Sequence, residues 1–286
     1  MRKTTAIILN LFFLFLLLYG CTPKSEQKVV SLDGVLISYQ IRGNGEPALV
    51  FVHGWCCDKS YWSAQVEKFW KKYTVVTIDL AGHGKSGLDR EIWSIENFGA
   101  DVVAVINHLG LEKVILIGHS MGGAVNVAAA AKIPLKVIGL VGVDTYQDFV
   151  NRYSQEQLDQ YIQPFKDDFV ETTRNFVRSM FPPTADSALI EQIANDVSSA
   201  PQKVAIEAFE GYFKFNTVEA LKNLKIPVFA INADKYPTNV ESNQQYADFK
   251  VKIMPGLGHF VMMEDPPNFN KLLQEVIDEI VNDDSN

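Results

Sequence analysis

The chain has 286 residues, of which 47% are hydrophobic and 21% are charged, and its formal net charge at pH 7 is −8. This length and composition indicate one large globular domain with a sizeable core. The acidic balance argues against nucleic-acid binding and against electrostatic attachment to anionic lipid. Adjacent cysteines rarely form a comfortable disulfide, so we interpret Cys56 and Cys57 as packing residues and expect no disulfide framework.

The first twenty residues have the pattern of a secretory signal peptide. Two basic residues precede an apolar run over 6–19, which is too short to span a bilayer. The run ends in the sequence LYGC, which resembles the lipobox of bacterial lipoproteins and implies that Cys21 is lipidated. We therefore predict a signal peptide at 1–20, a tether at 21–28, and a protein exported to the bacterial cell envelope and lipid-anchored to a membrane. The alternative is a plain signal peptide, with a soluble periplasmic or secreted product.

From residue 29 onwards, short apolar segments alternate with amphipathic ones, which indicates an α/β sheet with helices on both faces. Strands are predicted at 29–32, 36–41, 48–52, 74–78, 114–117, 137–143, 226–233 and 249–254, and helices at about 61–72, 95–108, from 124, and at 268–281. Between 145 and 225 the pattern is helical without a strand signal, which predicts a cap inserted in a core made of 29–144 and 226–286. Ten aromatic residues of this insertion are predicted mainly as interior packing of the cap, because several recur at helical spacing. They are Tyr153, Tyr161, Phe165, Phe169, Phe176, Phe181, Phe209, Tyr212, Phe213 and Phe215.

The sequence GHSMGG at 118–123 lies between the fifth predicted strand and an alanine-rich helix. It matches the G-x-S-x-G nucleophile elbow, in which the serine occupies a strained turn. A side chain at either flanking glycine would collide with neighbouring backbone. The helix that follows offers free N–H groups and the positive end of its dipole. This context predicts Ser120 as a nucleophile.

Four motifs occur in a fixed order along the chain: HGW at 53–55, DLAGHGKS at 79–86, GHSMGG, and GHF at 258–260. Together they resemble the α/β-hydrolase family, and most closely its esterase-like and haloperoxidase-like members with a helical cap. The resemblance covers about residues 29–282. It implies a mostly parallel eight-stranded sheet with helices on both faces and a helical cap after the sixth strand. It also implies an oxyanion hole formed by the backbone N–H groups of Trp55 and Met121.

A serine hydroxyl needs a base to take its proton, and that base needs a carboxylate to orient it. His259, in a glycine-containing turn after the last predicted strand, is the candidate base. Tyr236 stands where the family usually carries its aspartate. Asp144, at the end of the sixth strand, and Asp234, at the end of the seventh, are both candidate acids, and we favour Asp144.

These residues predict a serine hydrolase that cleaves an ester or related acyl bond of a small apolar substrate through a covalent acyl-enzyme on Ser120. A carbon–carbon bond hydrolase or a cofactor-free haloperoxidase would use the same triad. A small-molecule-binding protein that has lost the acid is the alternative from a different class. No cluster has metal-ligand spacing and no phosphate-binding loop follows a strand, so we expect neither a metal nor another cofactor. The sequence does not indicate an oligomeric state.

Overall fold

The computed structural model describes residues 26–150 and 153–284. The predicted signal peptide, Cys21 and the beginning of the tether lie outside these residues. The strands are β1 (Gln27–Val30), β2 (Leu36–Arg42), β3 (Ala48–Val52), β4 (Thr74–Ile78), β5 (Val114–His119), β6 (Val137–Val143), β7 (Pro227–Ala233) and β8 (Asp248–Met254). The helices are α1 (Ser63–Phe69), α2 (Ile95–His108), α3 (Met121–Lys132), α4 (Gln155–Asp167), α5 (Phe169–Ser179), α6 (Ser187–Ser198), α7 (Gln202–Lys214), α8 (Thr217–Leu221), α9 (Val240–Asn243), α10 (Val261–Glu264) and α11 (Pro266–Asp284).

The eight strands form one sheet in the order β1-β2-β4-β3-β5-β6-β7-β8. β2 is antiparallel to both of its neighbours, and all pairs from β4 to β8 are parallel. The strands β3, β4 and β5 are buried along their whole length, which explains their continuous apolar sequences. The predicted eight-stranded, mostly parallel sheet is confirmed.

Helices cover both faces of the sheet, as predicted. The step from β3 to β4 runs in one direction across the sheet, whereas the steps from β4 to β5 and from β5 to β6 run in the other. Because parallel crossovers are right-handed, α1 lies on one face and α2 and α3 lie on the opposite face. The packing agrees, since α2 contacts α3, whereas α11 contacts α1, β6 and β7.

Several elements begin and end at the predicted residues, namely β3, β4, β6 and α2. The first strand starts at Gln27, inside the segment predicted as a tether, because Gln27 pairs with Tyr39 across the opening hairpin. The first helix is shorter than predicted, since a 3₁₀ turn over Lys59–Trp62 leads into it. The last helix is longer and begins at Pro266, a residue whose fixed φ suits the first helical position.

The chain between β6 and β7 contributes α4 to α8, so the helical insertion after the sixth strand is confirmed. Within it, α4 packs against α5 and α7, and α5 packs against α6. The last of these helices, α8, contacts α3 of the core. Among residues 26–150 and 153–284, no helix is long and apolar enough to cross a membrane.

The parallel arrangement determines where the candidate residues lie. Since β3 and β5 to β8 run in the same direction, their carboxyl ends meet at one edge of the sheet. The predicted site residues all follow these ends: Trp55, Ser120, Asp144, Asp234 and His259. This edge of the sheet is therefore the place where a site can be assembled.

Candidate active site

Ser120 occupies a strained turn between β5 and α3. Its backbone angles are φ 51° and ψ −119°, a conformation that non-glycine residues rarely adopt. The turn is held by two hydrogen bonds, from Ser120 N to the carbonyl of Val143 at 3.0 Å and from Gly123 N to the carbonyl of Ser120 at 2.9 Å. The helix α3 begins at the next residue, so its N-terminal end lies beside the serine.

The two glycines that flank Ser120 have no room for a side chain. A Cβ at Gly118 would lie 2.3 Å from the carbonyl oxygen of Gly122. A Cβ at Gly122 would lie 2.5 Å from the carbonyl oxygen of Val52 and 2.7 Å from that of His53. These neighbours are backbone atoms, which cannot move aside without disturbing the sheet. The steric reason predicted from the motif is therefore present in the structure.

His259 and Asp144 contact each other directly. The Nδ1 atom of His259 lies 2.5 Å from Oδ2 of Asp144, and the side chains are 14% and 3% exposed. With Nδ1 donating its proton to this carboxylate, Nε2 is the ring nitrogen left to act as a base. The second carboxylate oxygen, Oδ1, accepts a hydrogen bond from Ala233 N at 2.8 Å.

Asp144 is held at the end of β6 by its neighbour β7. Its backbone has a φ of 45°, and its N–H donates to the carbonyl of Ile231 at 3.0 Å. The side chain of Asn232 accepts a hydrogen bond from Thr145 N at 3.1 Å and donates one to Thr238 Oγ1 at 2.9 Å. Asn232 was not among the site residues predicted from the sequence. The sequence feature that could have identified it is a polar residue near the end of an otherwise apolar strand.

Asp234, the alternative acid, has a different partner. Its Oδ1 accepts a hydrogen bond from Gly256 N at 2.9 Å. Gly256 has a φ of 76°, so Asp234 stabilises a tight turn between β8 and the histidine. Tyr236, which replaces the family's usual aspartate, is half exposed and lines the cavity described below.

The loop that carries His259 is held by Glu264, a second residue to which the sequence analysis gave no role. Its Oε2 accepts from Gly258 N at 2.8 Å, and its Oε1 accepts from Phe260 N at 3.1 Å. The two bonds fix the peptide groups on either side of the histidine. Burial raises the pKa of Glu264, while the two N–H bonds oppose that rise.

His119, inside the elbow motif, packs behind the site. Its Nε2 donates to the carbonyl of His259 at 2.9 Å, and the two rings lie 4.6 Å apart between centroids. Burial lowers the pKa of His119 well below its usual value, so the ring is neutral at pH 7. The ring therefore contacts the loop that carries His259, and His259 remains the candidate base.

The predicted oxyanion donors lie on two segments beside Ser120. Met121 is the first residue of α3, where N–H groups have no partner within the helix. The segment that carries Trp55 approaches the serine closely, since a Cβ on Gly54 would lie 3.3 Å from Ser120 Cβ. The indole of Trp55 donates to the carbonyl of Ala205 at 2.7 Å and stacks on Phe209 with 4.6 Å between centroids. The side chain thus connects the core to the cap.

A cavity of about 550 Å³, which we call the Ser120 cavity, opens between the core and the cap. Among the described residues, its lining includes Ser120, Asp144 and His259, but no lysine or arginine. Aromatic residues dominate its remaining wall: Tyr146, Phe149, Tyr153, Tyr161, Phe176, Phe209, Tyr212, Phe213, Phe215 and Tyr236. Burial raises the pKa of Tyr161 to about 12, so its hydroxyl is neutral at pH 7.

Seven of the ten aromatic residues that the helical spacing assigned mainly to cap packing line the Ser120 cavity. That prediction is therefore wrong for most of them. Helical spacing shows that a set of residues shares a face, but it does not show whether that face meets another helix or a cavity.

A second cavity of about 490 Å³, which we call the Cys57 cavity, is lined by Cys56, Cys57, Tyr61, His83 and Asp196 among others. Burial raises the pKa of both thiols, and Cys57 Sγ donates to the carbonyl of Trp55 at 3.4 Å. Burial, followed by the charge of His53, lowers the pKa of His83 to about 3. Within the described part of the chain, no group of three or more His, Cys, Asp or Glu residues is placed to hold a metal ion.

Comparison with known proteins identifies the family. The model of the Alpha/beta hydrolase family matches residues 49–272, which is most of the chain. The chain belongs to this family.

Its relatives carry several functions. The chain is 23% identical over 210 residues to karrikin insensitive 2 receptor IA of Petunia hybrida, covering 70% of this chain and 77% of that protein. It is 22% identical over 257 residues to 3-oxoadipate enol-lactonase 2 of Acinetobacter baylyi, covering 87% and 95%. The solved structure of a thermophilic esterase from Thermogutta terrifontis superposes with a TM-score of 0.76 at 22% identity, covering 90% and 99%. Because these identities are low, the structural likeness establishes the fold alone.

Proposed function

We propose that this member of the alpha/beta hydrolase family is a serine hydrolase that cleaves an ester or related acyl bond through a covalent acyl-enzyme on Ser120. One observation carries the proposal: the 2.5 Å contact between His259 Nδ1 and Asp144 Oδ2 lies in the wall of the cavity that Ser120 also lines. A neutral imidazole oriented by a buried carboxylate is what a serine hydroxyl requires as its base.

In the proposed mechanism, His259 Nε2 takes the proton of Ser120 as its hydroxyl attacks the acyl carbon. Asp144 keeps the proton on Nδ1 and stabilises the imidazolium that forms. The backbone N–H groups of Met121 and Trp55 donate to the oxyanion of the tetrahedral intermediate, a contribution of about 3 kcal/mol for each donor. His259 then protonates the leaving group, and a water molecule activated by the same ring releases the acid.

The lining of the Ser120 cavity supports a substrate whose acyl group is apolar and uncharged. Ten of its lining residues are aromatic, and Asp144 and Asp148 are carboxylates in the same wall. An anionic acyl group would lose its hydration there and would lie near these two carboxylates. A neutral aliphatic or aromatic acyl group would be buried against the tyrosine and phenylalanine rings.

The alternative functions are of two kinds, other reactions at the same site and binding without catalysis. A carbon–carbon bond hydrolase or a cofactor-free haloperoxidase would use the same three side chains, so substrate panels distinguish these from an esterase. A non-catalytic binding protein was suggested by Tyr236, which stands where a carboxylate is usual. Since Asp144 provides a carboxylate to His259, the chain has no evident need of an acid at position 236.

The first test is labelling with a fluorophosphonate, which reacts quickly only with an activated serine. The chain from residue 22 would be compared with Ser120→Ala, His259→Ala, Asp144→Asn and Asp234→Asn. We expect wild type and Asp234→Asn to label, and the other three variants to lose labelling. If folded wild type is not labelled, or if Ser120→Ala is labelled at the same rate, the acyl-enzyme mechanism is wrong.

We also propose that the chain is exported and anchored through lipid on Cys21, which is supported by the LYGC sequence and the apolar run before it. In a bacterial host, the Cys21→Ser variant should leave the membrane fraction while the same chain with Cys57→Ser stays in it. Equal fractionation of the two variants would contradict lipidation.

A further inference from the structure

Exposed apolar side chains are concentrated at one end of the molecule. Nine large aliphatic residues among those described are exposed at the surface, and five of them fall within 30–36 and 88–92. They are Val30 (57% exposed), Leu32 (84%), Leu36 (46%), Leu88 (57%) and Ile92 (65%), which we call the hairpin patch. Single exposed aliphatic residues are ordinary on a protein surface, whereas five in two adjoining segments are not.

The two segments of the hairpin patch are held against each other. Val30 and Leu36 are cross-strand partners in the β1–β2 hairpin. The carbonyl of Leu36 accepts a hydrogen bond from Gly87 N at 2.7 Å, which places Leu88 beside the hairpin. Arg90, in turn, bonds to Asp33 in the hairpin turn at 2.6 Å and to Asp101 of α2. The patch is thus a fixed surface formed by two tethered segments.

The charges around the hairpin patch are largely balanced. Lys85 is paired with Glu26, and Arg90 is paired with Asp33. The exposed charges that remain in these segments are Lys28, Asp89 and Glu91. A surface of this kind does not attract anionic lipid or nucleic acid, but it can be buried in an uncharged apolar layer.

The course of the chain indicates which layer that is. β1 starts at Gln27, so the hairpin is the first part of the fold after the predicted lipid anchor at Cys21. Glu26 is the fifth residue after Cys21, and an extended chain spanning five residues reaches about 18 Å at most. If the proposed anchor is present, the start of the hairpin stays within about this distance of the bilayer in every orientation of the domain.

We propose that the hairpin patch docks on the surface of a zwitterionic phospholipid bilayer, with its aliphatic side chains inserted among the upper acyl chains. Docking fixes the orientation of a domain that a short tether alone would leave free to rotate. A single lipid chain binds a membrane only marginally, and burial of several aliphatic side chains adds to that affinity. The proposal concerns the surface around β1 and β2 and does not depend on whether Ser120 is catalytic.

The test uses the chain from residue 22, which lacks the anchor and keeps every described residue, and vesicles of phosphatidylcholine and phosphatidylethanolamine. Co-flotation would be measured for wild type, for Leu32→Glu combined with Leu88→Glu, and for Leu135→Glu. Leu135 is a matched control, because it is 96% exposed but lies in the turn between α3 and β6, away from the patch. We expect the double variant to lower the bound fraction about tenfold, the effect of losing about 1.4 kcal/mol, and Leu135→Glu to leave it unchanged.

The melting temperature and fluorophosphonate labelling of each variant show whether it is folded, separately from whether it binds vesicles. Binding that persists in high salt supports apolar docking, since screened charges would lose it. The proposal is overturned if wild type does not float with the vesicles, or if Leu135→Glu loses as much binding as the double variant. It is also overturned if wild type is a dimer that the double variant dissociates, because the patch would then be an interface between two copies.

Discussion

The Ser120 cavity and the Cys57 cavity are similar in size, yet their chemistry differs. Each cavity has a nucleophilic side chain and a histidine in its wall. In the Ser120 cavity, the serine stands on a turn with φ 51° and the histidine is bonded to a buried carboxylate. In the Cys57 cavity, burial raises the pKa of the thiol, and the Nδ1 of His83 is engaged with the carbonyl of Ala81 at 2.9 Å.

A thiol is intrinsically the better nucleophile, so the difference between the cavities does not follow from residue type. It follows from what surrounds each group. His259 has a carboxylate within hydrogen-bonding distance of its Nδ1, whereas the Nδ1 of His83 contacts a backbone carbonyl and burial lowers the pKa of His83 to about 3. We therefore expect the reactivity of each group to depend on its partners, and the comparison can be tested by removing them one at a time.

Removing the nucleophile of each cavity should have the largest and the most unequal effect. We expect Ser120→Ala to lower kcat for 4-nitrophenyl butyrate by ~10⁶-fold, since the acyl-enzyme cannot form. Cys57→Ala should change kcat by less than about twofold, because its thiol is a packing group. Steady-state hydrolysis by the two purified variants measures both effects. A large loss with Cys57→Ala would show that the second cavity takes part in turnover.

The two candidate acids provide the next comparison. Asp144→Asn should lower kcat by ~10⁴-fold, because an amide at this position stabilises the wrong tautomer of His259. Asp234→Asn keeps an oxygen that can accept from Gly256 N, so we expect a change below about twofold. The rate of hydrolysis and the rate of fluorophosphonate labelling should fall together in the first variant only. Equal losses in both variants would contradict the assignment of Asp144.

Glu264 should act as a positioning residue with a smaller effect. In Glu264→Gln, one of the two backbone N–H groups beside His259 would face an amide donor, so the loop should loosen and kcat should fall about tenfold. Asp265→Asn is the control, because that side chain contacts Asn268 of α11 and not the histidine loop. Melting temperatures measured alongside kcat distinguish a misplaced histidine from general destabilisation. If kcat is unchanged in Glu264→Gln while the protein melts earlier, Glu264 only stabilises the fold.

The smallest expected effect concerns the thiols themselves. Because burial raises the pKa of Cys56 and Cys57, the reactive thiolate fraction at pH 8 is below that of a free cysteine. Iodoacetamide should therefore modify the folded chain from residue 22 at least about tenfold more slowly than the unfolded chain, since each unit of pKa is tenfold in thiolate. Mass spectrometry over a pH series measures the rates. Rapid alkylation of either cysteine in folded protein would contradict this account.

Much of the fold could be predicted because its central strands are buried on both faces. Ala48–Val52, Thr74–Ile78 and Val137–Val143 are continuous apolar runs, and their bounds agree with the structure. The predicted bounds were less accurate for the first strand at the edge of the sheet, which is only partly buried. Gln27 is polar, and only its pairing with Tyr39 across the hairpin places it in a strand.

The site could be predicted only in part. The elbow motif and the glycine-containing turn located Ser120 and His259, because both patterns have steric causes that lie in the local sequence. The sequence favoured Asp144 as the acid but did not exclude Asp234, since β6 and β7 are neighbours in the sheet and each is followed by an aspartate. The distinction depends on the positive φ of Asp144 and on the bond between Asp234 and Gly256, neither of which the sequence reveals.

The stacking of Trp55 on Phe209 has a spectroscopic consequence. The indole belongs to the segment that approaches Ser120. The ring on which it stacks, Phe209, and the carbonyl to which it donates, that of Ala205, both belong to the cap. Any separation of the cap from the core must break that hydrogen bond and expose the ring to water. The emission of Trp55 would then shift to longer wavelength, so the protein contains its own optical reporter of cap opening, once the emission of Trp62, Trp70 and Trp93 has been removed by substitution with phenylalanine.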